Sequence, residues 1–168
     1  MIEILRTDIT TLPVDAIVNA ANSALRGGGG VDGAIHRAAG PELMRELERY
    51  DHCATGDAVI TGGGRLPAGF VIHAVGPIWR GGDAGEHALL ERAYERAFRL
   101  AREEPAIRRI AFPAISTGAY GFPKRDAARI ALETMLRNEP HFERIVAALF
   151  DEESERLYRE TLAALRPS

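Results

Sequence analysis

Four consecutive glycines at residues 27–30 constrain this chain more than any other feature of its sequence. Glycine adds backbone entropy to the unfolded chain and offers no side chain for packing, so such a run is costly inside a regular element. It suits a place where another molecule must approach the main chain. The following segment has a helical pattern, and the start of a helix offers free N–H groups and a positive dipole end. The run therefore predicts a phosphate-binding loop.

Short apolar runs alternate along the chain with longer amphipathic segments. The runs have the length and β-branched content of buried strands, and the longer segments repeat their apolar residues at the helical period. This alternation predicts an α/β fold with helices on both faces of a largely parallel sheet, formed by one domain over residues 1–168. The predicted strands are 2–5, 16–20, 58–61, 70–75, 109–113 and 144–150. One predicted helix begins near Val31, and the other four span 41–50, 86–102, 123–136 and 152–165.

A second glycine loop follows the predicted strand at 109–113. Ser116 and Thr117 precede the turn at 118–121, and Pro123 suits the first position of the next helix. Backbone N–H groups here could hold a second phosphate, and Tyr120 could cover a sugar or a phosphate oxygen; the alternative is an ordinary turn with a packed tyrosine. In open α/β sheets, ligands bind outside the carboxyl ends of the strands. Two such loops in a short domain indicate a ligand with two phosphates.

Other phosphate-binding motifs fit less well. Gly28, Gly30 and Gly33 match the spacing G-x-G-x-x-G, but residues 21–27 separate them from the preceding strand. The acidic residue at the expected distance, Glu48, lies in a predicted helix instead of at a strand end. No Gly-Lys-Ser/Thr sequence completes a Walker loop. We therefore exclude a Rossmann dehydrogenase and a P-loop nucleotidase.

Asp32 and His36 are four residues apart at the start of the helix after the first glycine loop. This spacing places both side chains on one helix face, so they could act as an acid/base or water-orienting pair. Alternatively, Asp32 only complements the helix dipole and His36 only packs. The neighbouring phosphate loop favours the functional interpretation.

Taken together, these segments resemble the macrodomain family, and specifically its MacroD-type hydrolase branch. The resemblance extends over essentially the whole chain, and implies a three-layer α/β/α sandwich with a mixed, twisted sheet and a cleft for ADP-ribose. The matching stretches are Asp8-Ile9-Thr10, residues 14–23, residues 27–43, Thr55-Gly56, residues 71–77 and residues 112–123.

The resemblance also implies roles for individual residues. Asp8 resembles the carboxylate that accepts the adenine amino group, Phe150 the aromatic residue that stacks on adenine, and Asn22 the residue that holds the distal ribose. Asp32 and His36 match the pair tied to catalysis. The catalytic set is Asp32, His36 and Asn22; the ligand-binding set is Asp8, Ile9, Asn22, Gly28, Gly29, Gly30, Val31, Ser116, Thr117, Gly118, Ala119, Tyr120, Gly121 and Phe150.

The implied activity is hydrolysis of mono-ADP-ribose esters on acidic residues of proteins, with O-acetyl-ADP-ribose as a related substrate. Asp32 would orient or deprotonate the water and His36 would fix Asp32 or contact a ribose hydroxyl. In a rival scheme a substrate phosphate takes the proton and Asp32 only positions the water. The alternative functions are an ADP-ribose reader without chemistry and, third, a factor that processes ADP-ribosylated nucleic-acid ends.

Composition excludes several other classes. The net charge is −3 without a basic run, which argues against stable nucleic-acid binding. The sole lysine, Lys124, lies in the wrong segment for the lysine-dependent macrodomain branch, and Cys53 with scattered histidines offers no zinc spacing. His73 alternates within a strand and is interpreted as structural. We expect no metal, no cofactor besides the ligand ADP-ribose, no membrane segment and no signal peptide, and a cytoplasmic monomer whose partners are mono-ADP-ribosylated proteins.

Overall fold

A computed structural model describes residues 1–166 of the chain and contains the predicted alternation of strands and helices. Two short 3-10 helices, at Ile9–Thr11 and Glu139–His141, were not predicted. The strands are β1 (Ile2–Arg6), β2 (Ala16–Ala20), β3 (Ala58–Gly62), β4 (Phe70–Ala74), β5 (Arg109–Phe112) and β6 (Arg144–Leu149); the helices are α1 (Gly30–Ala39), α2 (Pro41–Leu47), α3 (Glu86–Glu103), α4 (Lys124–Asn138) and α5 (Glu152–Leu165).

The six strands form one sheet in the order β1-β6-β5-β2-β4-β3. The first five in this order pair in parallel, and β3 pairs with β4 in the antiparallel direction. Crossover helices between the parallel strands cover the sheet, as this connection requires. The predicted mixed, largely parallel sheet is therefore confirmed.

The helices form layers on both faces of the sheet. Side chains along a strand alternate between faces, so Val18 and Ile17 enter different cores. Val18 packs in the core with residues of α3 and α4 and with Tyr158 of α5, whereas Ile17 packs with Ile35 of α1 and residues of α2. The arrangement is the three-layer α/β/α sandwich that the resemblance implied.

Several helix ends differ from the predicted bounds by one to three residues, and the start of α4 and the end of α2 have clear causes. Pro123 is not the first helical residue, because its ψ of 124° is extended, so α4 begins at Lys124 with Pro123 as its N-cap. Helix α2 ends at Leu47, short of the predicted residue 50, and the Tyr50 hydroxyl donates a hydrogen bond to the carbonyl of Ile60. Among residues 1–166, none of the helices has the length and apolarity required to cross a membrane.

Candidate functional site

The strand order creates a crevice along the carboxyl ends of β1, β6, β5 and β2. Strands β5 and β2 are neighbours, yet β5 leads to α4 on one face of the sheet and β2 leads to α1 on the other. Loops that leave neighbouring strands in opposite directions open a crevice between them. Asp8 follows β1, Phe150 follows β6, and the second and first glycine loops follow β5 and β2. The predicted site residues therefore share one edge of the sheet.

The first glycine loop is folded by its own side chains. Leu25 is fully buried, and the backbone turns there through a positive φ of 56°. The Asn22 amide closes the loop, because its Nδ2 donates to the Gly27 carbonyl at 2.9 Å and its Oδ1 accepts from the Leu25 N–H at 3.0 Å. One Nδ2 hydrogen of Asn22 is left for a ligand. Asn22 thus holds the loop in place, a role that the sequence did not predict.

Helix α1 begins inside the glycine run. Gly30 has a φ of 59°, a conformation that residues other than glycine rarely adopt. The N-cap Gly29 has no side chain to cap the helix. Both glycines are exposed. The first N–H groups of α1 therefore face the crevice without a side-chain acceptor, as a bound anion requires.

Asp32 lies in the first turn of α1 and is almost fully buried. Its Oδ1 accepts a 2.8 Å hydrogen bond from Asn19 Nδ2 of β2, and His36 Nε2 lies 3.4 Å from the same oxygen. A Cβ atom added to Gly28 would lie 3.3 Å from Asp32 Oδ2 and 3.5 Å from Asn22 Nδ2. Asp32 and Asn22 therefore converge on the backbone of Gly28, and His36 lies behind Asp32.

The second glycine loop is a tight turn on a strained residue. Ser116 has a φ of 68°, unusual for a residue with a side chain, and its carbonyl accepts from the Phe122 N–H at 2.9 Å. A Cβ on Gly76 would lie 2.2 Å from Ser116 Oγ, so only glycine allows this approach. Thr117 and Tyr120 are half-buried, and the stretch Gly118-Ala119 between them is exposed, as is Gly121. The turn offers its main chain to the crevice.

A neighbouring loop supports this turn from outside. The Trp79 N–H donates to the Tyr120 carbonyl at 2.8 Å, and the Trp79 ring packs edge-on against Phe122. The buried Glu86 carboxylate accepts from the N–H groups of Arg80, Gly82 and Ala84 at 2.7–3.0 Å. The bonds from Arg80 and Gly82 lower the pKa of Glu86 to about 2, because they stabilise its charged form. The loop is thus fixed by an ionised side chain.

At the other end of the crevice, Asp8 and Phe150 are exposed. Asp8 Oδ1 accepts from the N–H and the hydroxyl of Thr10 and so caps the 3-10 helix. Phe150 is 91% exposed, so its ring contributes little to the core and is free to stack on a planar ligand. Ile9 is buried in the core. Only its backbone can contact a ligand.

Three functional candidates were missed from the sequence or were assigned another role. Asn19 was not singled out, and His73 was interpreted as structural, but His73 Nδ1 lies 3.2 Å from Asn19 Nδ2. Thr61 Oγ1 lies 3.0 Å from the other ring nitrogen, Nε2. For Asn19 and His73 the available signal was a polar side chain within an apolar strand, because a buried polar group needs a hydrogen-bond partner. These residues extend the site into the sheet.

A separate groove of about 450 Å³ lies at the opposite edge of the sheet. Its charged residues, Asp15 and Arg109, pair with each other at 3.0 Å. None of the predicted site residues lines it. Within residues 1–166, no cluster of three or more His, Cys, Asp or Glu side chains is placed to bind a metal ion.

Comparison with known proteins gives one consistent result. A sequence model described as Macro domain matches residues 18–131. The chain is 52% identical to an O-acetyl-ADP-ribose deacetylase of Enterobacter cloacae, over 96% of this chain and 93% of that protein. It superposes on an Oceanobacillus iheyensis macrodomain solved with ADP, with a TM-score of 0.91 and 42% identity, over 98% of this chain and 90% of that chain. For a Trypanosoma brucei macrodomain in complex with ADP-ribose, the TM-score is 0.86 and the identity 40%, over 95% of this chain and 68% of that chain.

Proposed function

The chain belongs to the macrodomain family, and we propose that it binds ADP-ribose in the crevice and hydrolyses ADP-ribosyl esters. The finer proposal is release of mono-ADP-ribose from acidic residues of proteins, with O-acetyl-ADP-ribose as a related substrate. The single observation that carries it is Asp32, a buried carboxylate in the first turn of helix α1 with His36 beside it. The relatives named as deacetylases support ester hydrolysis in general.

We propose that the ligand lies along the crevice, with each of its parts against a different loop. Adenine would lie at the end formed by β1 and β6, on Phe150 and against Asp8. The diphosphate would lie between the two glycine loops, at the N-terminus of α1 and on the main chain of residues 116–121. The distal ribose would then reach Asn22, Gly28 and Asp32, which converge at one point.

The reaction follows from this placement. Water attacks the anomeric carbon of the distal ribose, the bond from that carbon to the ester oxygen breaks, and the protein side chain leaves as a carboxylate. A carboxylate is a good leaving group, so a positioned water and a fixed ribose supply most of what is needed. The water's proton passes to Asp32 or to a substrate phosphate. His36 fixes Asp32 or contacts a ribose hydroxyl.

The test is release of free ADP-ribose from a protein mono-ADP-ribosylated on acidic residues. The variants are wild type, the double variant Asp32→Ala/His36→Ala, and a matched double variant Arg99→Ala/Glu103→Ala. The matched residues are also four apart on one helix and in contact at 3.2 Å, but they are exposed on α3 and lie outside the proposed site. We expect release by wild type and by the matched variant, and loss with Asp32→Ala/His36→Ala.

Other results have distinct meanings. If no variant releases ADP-ribose but calorimetry detects binding, the protein is a reader without chemistry. Absence of binding would overturn the proposal. A comparison of Asp32→Asn with Asp32→Ala then separates the two proton acceptors, because near-normal turnover by Asp32→Asn would exclude Asp32 as the base.

A further inference from the structure

A row of buried polar side chains crosses the sheet and ends at Asp32. It starts at Thr61 on β3, continues through His73 on β4 and Asn19 on β2, and reaches Asp32 on α1, with contacts of 3.0, 3.2 and 2.8 Å. All four residues are buried. Asn19 and His73 are direct partners in the parallel pairing of β2 with β4, so the backbone register fixes their distance. We refer to these four residues as the polar row.

The direction of each hydrogen bond in the polar row follows from its ends. The Thr61 hydroxyl donates to the carbonyl of Gly62 at 3.0 Å, so its oxygen is available to accept the Nε2 hydrogen of His73. The Nδ1 atom of His73 then carries a lone pair and accepts one hydrogen of Asn19 Nδ2. The second hydrogen of that nitrogen goes to Asp32 Oδ1. Every donor is matched to an acceptor in this arrangement.

His73 must be neutral for this arrangement to hold. Burial, together with the nearby charge of His36, lowers the pKa of His73 to about 3, because a protonated ring would lose its hydration in the core. A protonated ring would have hydrogen on both nitrogens, and Nδ1 would then repel the Asn19 amide hydrogens. The neutral ring with its hydrogen on Nε2 therefore selects one orientation of the Asn19 amide.

The surroundings of the Asn19 carbonyl oxygen show that neighbouring residues impose the orientation of the amide. Asn19 Oδ1 is buried and has no hydrogen-bond partner among the described residues. An unpaired buried acceptor costs free energy, so the amide does not adopt this orientation for its own sake. Rotation of the amide by 180° would direct Oδ1 at two acceptors, His73 Nδ1 and Asp32 Oδ1. That orientation would lose both hydrogen bonds and place like partial charges against each other. The two acceptors together hold the amide.

We infer that Asn19 and His73 are positioning residues for the reaction: His73 orients the Asn19 amide, and Asn19 fixes the Asp32 carboxylate toward the bound ribose. This inference rests on the proposed hydrolase function. Neither residue touches the substrate; each acts through the next, as partners beyond the reacting groups do in preorganised sites. Because Asn19 lies on the central sheet, the position of Asp32 does not depend on helix α1 and the glycine run alone.

The kinetic test uses Asn19→Leu, His73→Leu and His73→Asn. The leucine variants remove the hydrogen bonds at similar volume, whereas the amide oxygen of His73→Asn takes the place of Nδ1 as acceptor. We expect both leucine variants to lower kcat by about tenfold or more with little change in the Kd for ADP-ribose, because they misplace a reacting group without altering the phosphate loops. His73→Asn restores most of kcat.

A matched control separates positioning from stability. Asn138 is a second buried asparagine, on α4, whose Nδ2 donates to the Thr134 carbonyl at 2.9 Å. Asn138→Leu should lower Tm as the other leucine variants do and leave kcat unchanged. The inference is overturned if His73→Leu keeps kcat within twofold of wild type, or if His73→Asn is no better than His73→Leu. It is also overturned if kcat follows Tm across all variants.

A second measurement does not need the hydrolase reaction. Nitrogen NMR of the ligand-free protein reports which ring nitrogen of His73 bears hydrogen. We expect the neutral Nε2–H form from pH 5 to pH 9, and a changed Nδ1 resonance in Asn19→Leu. A Nδ1–H form would overturn the inference even in an active enzyme. If wild type hydrolyses nothing but this NMR result is obtained, the proposed function fails and the polar row stands.

Discussion

The Asp32 carboxylate receives its 2.8 Å hydrogen bond from Asn19, so the sheet, and not only its own helix, holds it. Asp32 is in the first turn of α1, where the helix dipole already favours a negative charge. The bond from β2 adds a fixed direction to that favourable position. Because Gly28 lies against the other carboxylate oxygen, the three residues join the Asp32 carboxylate and the first glycine loop in one unit.

Gly33→Ala tests this unit. Alanine normally stabilises a helix interior by about 1 kcal/mol relative to glycine. Here the new Cβ would lie 2.6 Å from the Gly28 carbonyl oxygen, so the loop must move. We expect urea unfolding to give a loss of roughly 1–3 kcal/mol, as for overpacking, together with slower ADP-ribose release.

Gly29→Ala is the control for stability in this experiment. Its φ of −94° suits any residue, and an added Cβ meets nothing within 4 Å. Its free energy of unfolding should stay within about 0.5 kcal/mol of wild type. Equal stability of Gly33→Ala and Gly29→Ala would show that the Gly28 carbonyl is not a fixed obstacle.

Phe150→Ala should weaken ADP-ribose binding without destabilising the protein. Loss of a stacked ring costs about 1 kcal/mol beyond buried area, so we expect a Kd about tenfold higher in calorimetry. The side chain is 91% exposed, so Tm should hardly change. Ribose 5-phosphate has no adenine, and its binding should be the same for both proteins.

The control for this substitution is Ile78→Ala. Ile78 is also a large exposed apolar residue, at 46%, and lies outside the proposed binding set. Its removal should leave the Kd for ADP-ribose unchanged. If Phe150→Ala binds ADP-ribose as tightly as wild type does, adenine does not stack on this ring.

Much of this architecture was predictable because the main signals are local. The strand and helix periods identified every major element, and the two glycine loops marked the edge where the crevice lies. Long-range pairings were less accessible. Asn19 and His73 are 54 residues apart, and only the register of β2 with β4 brings them together. The predicted start of α4 was also wrong by one residue, because the backbone of Pro123 stays extended at the N-cap.

Individual side chains also took roles that their type did not reveal. Asn22 was predicted to hold a ribose; what the structure shows is that its amide closes the glycine loop. Ile9 was assigned to the ligand, but its side chain lies in the core, so only its main chain remains for binding. A shift of one residue along an element moves a side chain from the core to the crevice, and sequence patterns locate element ends only approximately.

Tyr94→Phe should loosen the second glycine loop from below. The fully buried Tyr94 hydroxyl accepts a hydrogen bond from the Ile115 N–H at 3.2 Å, one residue before the strained Ser116. The substitution leaves that N–H unpaired in the core, at a cost of about 1–2 kcal/mol in the free energy of unfolding. We expect this loss in urea titration and a Kd for ADP-ribose several-fold higher.

Tyr50→Phe is the matched change at another place. Its hydroxyl donates to a backbone group, the Ile60 carbonyl, away from the second glycine loop and between α2 and β3. It should lower stability and leave ADP-ribose affinity unaltered. If the two variants bind equally well, the hydroxyl of Tyr94 has no part in shaping the loop.

The stability of the protein should depend on His73 between pH 7 and pH 5. Burial lowers the pKa of His73 from 6.5 to about 3, so in this range the unfolded chain binds a proton that the folded chain does not. Stability therefore falls as the pH falls from 6.5 toward 3, by about 2 kcal/mol between pH 7 and pH 5. Carboxylates such as Glu86, whose pKa is lowered to about 2, lose their contribution only below about pH 4.5.

Urea unfolding at pH 7 and pH 5 checks this dependence in wild type, His73→Asn and His52→Asn. His73→Asn has no ionisable ring, so its stability should fall by about 2 kcal/mol less than that of wild type over this range. His52 is exposed, so His52→Asn should follow wild type. Equal pH dependence in wild type and His73→Asn would mean that the His73 ring is protonated in the folded protein as readily as in the unfolded chain. The neutral ring that orients Asn19 would then be absent at pH 5.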